Sequence, residues 1–107
     1  MDHATILARL EAVIAERRAG DPAASYVARL NARGVGKIAQ KVGEEATETV
    51  IAALTGTQAE LVGEAADLLF HLMVLLSARD VPLADVLSEL QRREGTSGID
   101  EKASRKA

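Results

Sequence analysis

Glu44, Glu45 and Glu48 fall within two turns of one helical segment, KVGEEATETV over residues 41–50. Side chains three or four apart share a helix face, so Glu45 stacks on Glu48 while Glu44 lies beside it. Like charges crowded in this way repel unless water or a cation intervenes, and oxygen-only donors suit a hard cation such as Mg²⁺ or Mn²⁺. Glu64 and Asp67 repeat the three-residue spacing in GEAADLLFHL, amid apolar sequence where an unpaired charge is costly. The first three glutamates alone would suit a solvated acidic face. Taken with the second pair, they favour a divalent-metal site between two facing helices. A carboxylate-bridged iron centre would want Glu-x-x-His on a helix; here Asp67 stands at that spacing from Glu64, and His71 comes seven residues on.

Other residues could serve the same chemistry. His71 lies one turn beyond Asp67 on the same face and reads as a histidine hydrogen-bonded at the core edge rather than as a ligand; His3 reads as surface. Arg29, Arg33, Lys37 and Lys41 recur every four residues, and Lys37 and Lys41 lead into the acidic stretch. They suit salt bridging to Glu44, Glu45 or Glu48, or neutralisation of phosphate oxygens beside a metal; both roles stay open. A second basic set, Arg92, Arg93, Lys102, Arg105 and Lys106, surrounds the small residues Gly95, Thr96, Ser97 and Gly98. Composition alone makes that segment a mobile tail, with a phosphate-ordered loop as the alternative. No phosphate loop, HExxH motif or nucleophile-base-acid set occurs, so a covalent mechanism has no basis.

The elements that must position these groups are helical. Ile6, Leu7, Leu10, Val13 and Ile14 form an apolar stripe that closes near Gly20. Asp21-Pro22 offers a cap and a first-turn proline for a short helix through Ser25–Leu30, with a break expected in Asn31–Gly36. The acidic helix follows from Lys37 to Leu54 with Gly56 as its stop, and Gly43 inside it suggests close helix packing. Thr57-Gln58-Ala59-Glu60 is a capping box opening a helix to Ala78 that is apolar on every side. Pro82 opens a last helix, Leu83–Arg93, with Leu83, Val86, Leu87 and Leu90 inward and Gly95 at its end. Strand alternation is missing, so the chain reads as all-α: an antiparallel helical bundle over residues 1–94 with a basic tail at 95–107. So short a chain cannot cover the all-round apolar helix, and oligomerisation, as a dimer or tetramer of the same chain, is expected to complete the bundle.

The 107 residues fit one domain, and 48% apolar content supports a core. A net charge of −3 and only two aromatic residues, Tyr26 and Phe70, argue against nucleic acid held by bulk charge or by stacked bases. The chain has no cysteine, which excludes disulfides, thiolate-held zinc and a cysteine nucleophile. Residues 1–20 lack the features of a secretory signal, so a cytoplasmic location is expected. The longest apolar stretch, Leu68–Leu76, is interrupted by His71 and too short to cross a bilayer, so no membrane association is expected.

The pairing of Glu44-Glu45-x-x-Glu48 with Glu64-x-x-Asp67 resembles the EExxE and ExxD hallmark of the all-α nucleoside triphosphate pyrophosphatases. Within that superfamily the chain is more similar to the phosphoribosyl-ATP pyrophosphatase family of histidine biosynthesis. Residues 25–30 (SYVARL), 37–54 (KIAQKVGEEATETVIAAL), 63–76 (GEAADLLFHLMVLL) and 92–105 (RREGTSGIDEKASR) carry the narrower likeness. The resemblance implies hydrolysis of the α–β phosphoanhydride of 1-(5-phosphoribosyl)-ATP to phosphoribosyl-AMP and pyrophosphate. It further implies Glu44, Glu45, Glu48, Glu64 and Asp67 as catalytic residues, with Glu45, Glu48, Glu64 and Asp67 holding Mg²⁺ or Mn²⁺. Glu44 would make a second metal contact or orient the attacking water. Lys37, Lys41, Arg92, Arg93, Lys102 and Arg105 would bind substrate, which gives the tail a role in contacting phosphate. A broader nucleoside triphosphate pyrophosphatase and a non-catalytic helical dimerisation module are the competing expectations.

Overall fold

In the computed structural model, which describes residues 3–106, the capping box at Thr57 organises the architecture. The Thr57 hydroxyl accepts from the Glu60 amide at 3.1 Å, and the Glu60 carboxylate accepts from the Thr57 amide at 3.0 Å. This reciprocal cap starts the helix over Gln58–Ala78 just two residues after the helix over Val35–Thr55 has ended. So short a connection folds the two 21-residue helices back on each other as an antiparallel hairpin about 30 Å long. Their mutual packing is the most extensive in the chain. Gly56 makes the reversal: its φ is −100°, but a Cβ there would stand 3.0 Å from the Ala52 carbonyl oxygen. The glycine therefore answers a close approach rather than a left-handed backbone.

In chain order the described residues form a 3₁₀ turn at His3–Thr5, then α1 (Ile6–Arg17), α2 (Tyr26–Arg33), α3 (Val35–Thr55), α4 (Gln58–Ala78), α5 (Leu83–Arg92) and α6 (Gly98–Lys106). No strand occurs among them, and the all-α expectation holds. His3 is exposed as expected. The restart at Asp21-Pro22 does not. Asp21 caps a turn by accepting from the Ala23 amide, while Ser25 caps α2, its hydroxyl accepting from the Ala28 amide at 3.2 Å. The break between α2 and α3 is confined to Gly34, at φ 94° and ψ 167°, a region open essentially to glycine alone. Arg29 and Arg33 thus lie on α2, off the helix that carries Lys37 and Lys41.

The core gathers at one end of the hairpin. Ile14 of α1, Val27 and Leu30 of α2, Ile38 of α3, Met73 and Val74 of α4 and Leu83 of α5 form it. The Glu11 carboxylate reaches from α1 to accept the Leu83 amide at 2.7 Å, so α1 caps α5 across the fold. Arg18 bonds the Ser77 carbonyl and pairs with Asp80 at 3.0 Å, fastening the end of α1 to the end of α4.

The other end of the hairpin is bare. Val50, Ile51 and Leu54 of α3 and Val62 and Leu69 of α4 stay exposed, Leu54 at 79%. Of the stripe expected to face inward on α5, only Leu83 is buried, while Leu87 and Leu90 are exposed. Gly43 does not mediate helix packing within the chain, since a Cβ there would meet nothing within 4 Å. By length and mean hydropathy α4 could cross a membrane. Glu64 and Asp67 near its middle make that expensive, however, and α3 covers one of its sides.

Residues 98–106, by composition a mobile tail, form α6. Ser97 caps it through the Asp100 amide at 3.1 Å, and Glu101 is buried at 4% exposure. Its carboxylate meets Arg92 at 2.8 Å, Arg105 at 3.5 Å and Arg93 at 3.8 Å. Three guanidiniums compensate one buried anion, and that is what holds the helix in place.

Candidate metal centre and active site

Midway along the hairpin, α3 turns Glu45 and Glu48 toward Glu64 of α4, and one oxygen from each converges with the others to within 4.8 Å. Glu45 is buried at 6% exposure and Glu64 half-buried, while Glu48 is open to solvent. The Glu45 and Glu64 carboxylates each leave one oxygen, Oε2, buried without a hydrogen-bond partner among the described residues. Buried acceptors of this kind call for a cation or a proton. Both carboxyls are pushed above the ordinary range. For Glu45 the main cause is burial, followed by Glu48; for Glu64 it is the shared hydrogen bond with Glu48, followed by burial. An all-oxygen set with two orphaned lone-pair donors fits a hard divalent cation, so Glu45, Glu48 and Glu64 are the residues that would hold one.

The remaining expected ligands sit differently. Asp67 lies outside the converging trio, although its charge acts on both Glu45 and Glu64. Glu44 points along the outer ridge of α3. It accepts from the Gln40 amide at 2.9 Å and pairs with Lys41 at 3.4 Å, and these contacts hold its carboxyl below the usual range. Lys41 also approaches Glu45 at 3.8 Å, and Lys37, one turn earlier, contributes positive charge toward Glu44. Of the two roles open to Lys41, the salt bridge is therefore the one seen here. Gln40 was not singled out from sequence, though its i,i+4 spacing to Glu44 was the available signal.

His71 is a hydrogen-bonded histidine rather than an open ligand, as its place in the sequence suggests. It is buried, and both ring nitrogens are committed: Nδ1 to the Asp67 backbone carbonyl at 2.7 Å and Nε2 to the Tyr26 hydroxyl at 2.8 Å. Neither nitrogen is free to bind metal. The expected substrate-binding arginines Arg92, Arg93 and Arg105 are engaged with Glu101, and Arg92 and Arg93 also with Glu89. Glu89 is pulled down to about 2 by hydrogen bonds from Arg92 first and then Arg93. Lys102 is exposed on α6.

A cavity of about 230 Å³ opens beside two of the three carboxylates, lined by Glu48, Ile51, Ala52, Thr55, Gly56, Glu60 and Glu64. Its size suits a phosphate group rather than a whole nucleotide. A larger cavity of about 430 Å³ lies between α1 and the end of α4, where Ala8, Ala12, Met73 and Leu76 make it mainly apolar. The charged groups at its rim, Glu11, Arg18 and Asp80, are already tied to the backbone or to each other. The smaller cavity, by contrast, is lined by Glu64, whose Oε2 has no partner among the described residues.

The all-α hairpin with a carboxylate trio at mid-height is an arrangement able to hold a hard divalent cation. Residues 7–94 match the family described as Phosphoribosyl-ATP pyrophosphohydrolase. A phosphoribosyl-ATP pyrophosphatase of Novosphingobium aromaticivorans is 79% identical over 105 residues, covering 98% of each chain. That of Erythrobacter litoralis is 72% identical over 99 residues, covering 92% of this chain and 95% of the relative. The corresponding protein of Paracoccus denitrificans is 57% identical over 104 residues, covering 97% and 96%. The chain belongs to the phosphoribosyl-ATP pyrophosphohydrolase family.

Proposed function

We propose that this chain is a cytoplasmic, Mg²⁺-dependent enzyme that hydrolyses 1-(5-phosphoribosyl)-ATP at the α–β phosphoanhydride, releasing phosphoribosyl-AMP and pyrophosphate as the second step of histidine biosynthesis. The observation that carries the reading is the convergence of Glu45, Glu48 and Glu64 with two buried, unpartnered oxygens, in a chain whose relatives bear that enzyme's name. A divalent cation bound there, Mg²⁺ or Mn²⁺, supplies charge withdrawal from phosphorus and a more acidic water.

The chain's own groups do the rest. Glu44, kept ionised by Gln40 and Lys41, is an acceptor able to orient the attacking water. Lys41, only half-exposed and already poised over the carboxylates, can pass to phosphate oxygens once a cation takes its place, with Lys37 beside it. Asp67 adds negative charge at the rim of the trio and completes the expected ligand set. Arg92, Arg93 and Arg105 reach substrate only by exchanging Glu89 and Glu101 for phosphate oxygens, with Lys102 on the same helix as Arg105.

Self-association belongs to the same proposal. The radius of gyration is 15.9 Å, against about 13 Å for a compact chain of this length. Val50, Ile51, Leu54 and Val62 are uncovered, and Ile51 among them lines the small cavity. A second copy packed there would bury that stripe and enlarge a cavity too small for the substrate. Light scattering should give at least a dimer, and the pair Ile51→Asp and Leu54→Asp should shift it toward monomer.

The deciding experiment is pyrophosphate release from phosphoribosyl-ATP with and without Mg²⁺, using ATP as the control. Metal-dependent release from phosphoribosyl-ATP alone supports the full reading. Release from ATP as well keeps the site but discards the narrow specificity, and release from neither by the folded, metal-supplied protein overturns the reading.

A further inference from the structure

The chain's only tyrosine and only phenylalanine meet one helical turn from Asp67. The Tyr26 ring stacks on Phe70 with centroids 6.1 Å apart, and His71 stands edge-on to both, at 5.7 Å and 5.2 Å. The hydrogen bonds through this cluster have a direction. A carbonyl oxygen can only accept, so His71 Nδ1 carries the proton given to Asp67 at 2.7 Å. In the neutral ring Nε2 is then the acceptor, and the Tyr26 hydroxyl donates to it at 2.8 Å. The result fixes one tautomer and one orientation of a ring that is 6% exposed, using a residue 45 positions away on another helix.

His71 stands one helical turn beyond Asp67 and two beyond Glu64 on α4, on the helix face that carries the acidic residues. Packing alone would be served equally well by phenylalanine, since the Phe70 stack does not use the hydroxyl. Without that hydroxyl, Nε2 would be a buried acceptor with no partner, and the ring would turn or admit water to satisfy it.

We propose that Tyr26 is a positioning residue for the acidic site: its hydroxyl locks His71, and through His71 the Asp67 turn of α4, into the arrangement that aligns the carboxylates for a divalent cation. This rests on reading Glu45, Glu48 and Glu64 as a cation site. Outer partners that orient a site are worth about 10- to 100-fold in metal affinity or activity when removed.

The test is Mn²⁺ binding to the purified full-length chain, by isothermal calorimetry with no substrate present, followed by steady-state kinetics. Tyr26→Phe keeps the aromatic stack and should retain the wild-type melting temperature within a few degrees, while weakening Mn²⁺ about 10-fold. With Mn²⁺ saturating, KM for phosphoribosyl-ATP should stay near wild type. His71→Asn retains a donor toward Asp67 but cannot reach Tyr26. If Tyr26 acts through His71, adding Tyr26→Phe to His71→Asn should weaken Mn²⁺ no further.

Wild-type Mn²⁺ affinity in Tyr26→Phe overturns the proposal, as does full additivity of the two substitutions. So does a pattern in which Tyr26→Phe is silent while Tyr26→Leu raises KM, because the ring and not the hydroxyl would then matter. A wild-type chain that fails to bind Mn²⁺ at all overturns the cation site itself, an outcome separable from failure of the positioning role alone.

Discussion

Glu45→Gln should make the metal-free protein more stable while destroying its function. Glu45 is the most buried carboxylate of the trio, with Oε2 unpartnered and burial as the leading cause of its raised pKa. Leaving a buried polar group unsatisfied costs about 1–3 kcal/mol. A glutamine removes the charge but still presents a buried amide, so recovery of about 1 kcal/mol, the low end of that range, is the fair expectation. For a domain of this size that raises Tm by about 4–8 °C. A group whose pKa is higher in the folded state favours folding when protonated, and that contribution is lost as pH rises through the folded value. The variant's advantage in EDTA should therefore be largest at neutral pH and shrink on acidification toward the ordinary carboxylate range. Differential scanning fluorimetry in EDTA across that pH range, repeated with excess Mn²⁺, provides the assay. A ligand 100-fold above its Kd stabilises by about 2.7 kcal/mol, so Mn²⁺ should raise the wild-type Tm and leave the variant unchanged. Turnover should fall at least about 100-fold, the upper end of what a single orienting partner contributes. A lower Tm for the variant in EDTA at neutral pH, or an undiminished Mn²⁺ shift, would refute the reasoning.

Further outcomes follow from other parts of the molecule. Glu48→Gln and Asp67→Asn are each expected to abolish turnover without changing the far-UV circular dichroism; wild-type activity in either removes that carboxylate from the site. Gly34→Ala forces alanine to φ 94° and should cost about 1–3 kcal/mol in urea unfolding. Gly36→Ala, inside α3 with open space at the Cβ, should be neutral or stabilising by comparison. Glu101→Ala removes the anion shared by Arg92, Arg93 and Arg105. Amide exchange in residues 98–106 should then become fast while α3 and α4 keep their protection, and retained protection in α6 would show that something other than the ion cluster holds it.

Legibility in the sequence followed the range of the interactions. The Thr57–Glu60 capping box is complete within four residues, and the start of α4 was readable from them alone. Ser25 and Asp21 are both competent caps. Each bonds locally, Asp21 to the Ala23 amide and Ser25 to the Ala28 amide, so the local pattern allows both and does not choose between them. Two glycines marked the α2–α3 break but not its width, because Gly36 is accommodated inside α3 and only Gly34 takes the unusual backbone. The carboxylates could be placed on two facing helices from their spacing. Which of them converge depends on the register between α3 and α4, and that register leaves Glu44 and Asp67 outside the trio. The Tyr26–His71 bond spans 45 positions, and the burial of Glu101 depends on arginines from two helices. Neither leaves a local pattern to read.

The division of the hairpin into a packed end and a bare end has a physical logic. Crowded carboxylates with unsatisfied oxygens are a standing cost to the metal-free fold, so the segment that carries them needs anchoring from elsewhere. Ile38, Met73 and Val74 supply it by locking one end of α3 and α4 against α1 and α2. The opposite end, beside the small cavity, keeps Ile51, Leu54 and Val62 exposed. Covering that end from within the chain would close the approach to Glu48 and Glu64. Covering it with a second copy, as proposed, would bury the same apolar stripe while leaving a cleft between subunits for a substrate much larger than the cavity of one. On this reasoning, monomer-forming substitutions at Ile51 and Leu54 should raise KM for phosphoribosyl-ATP far more than they weaken Mn²⁺, because the carboxylate trio lies wholly within one chain. Equal loss of both would mean that the second copy shapes the metal site as well as the substrate cleft.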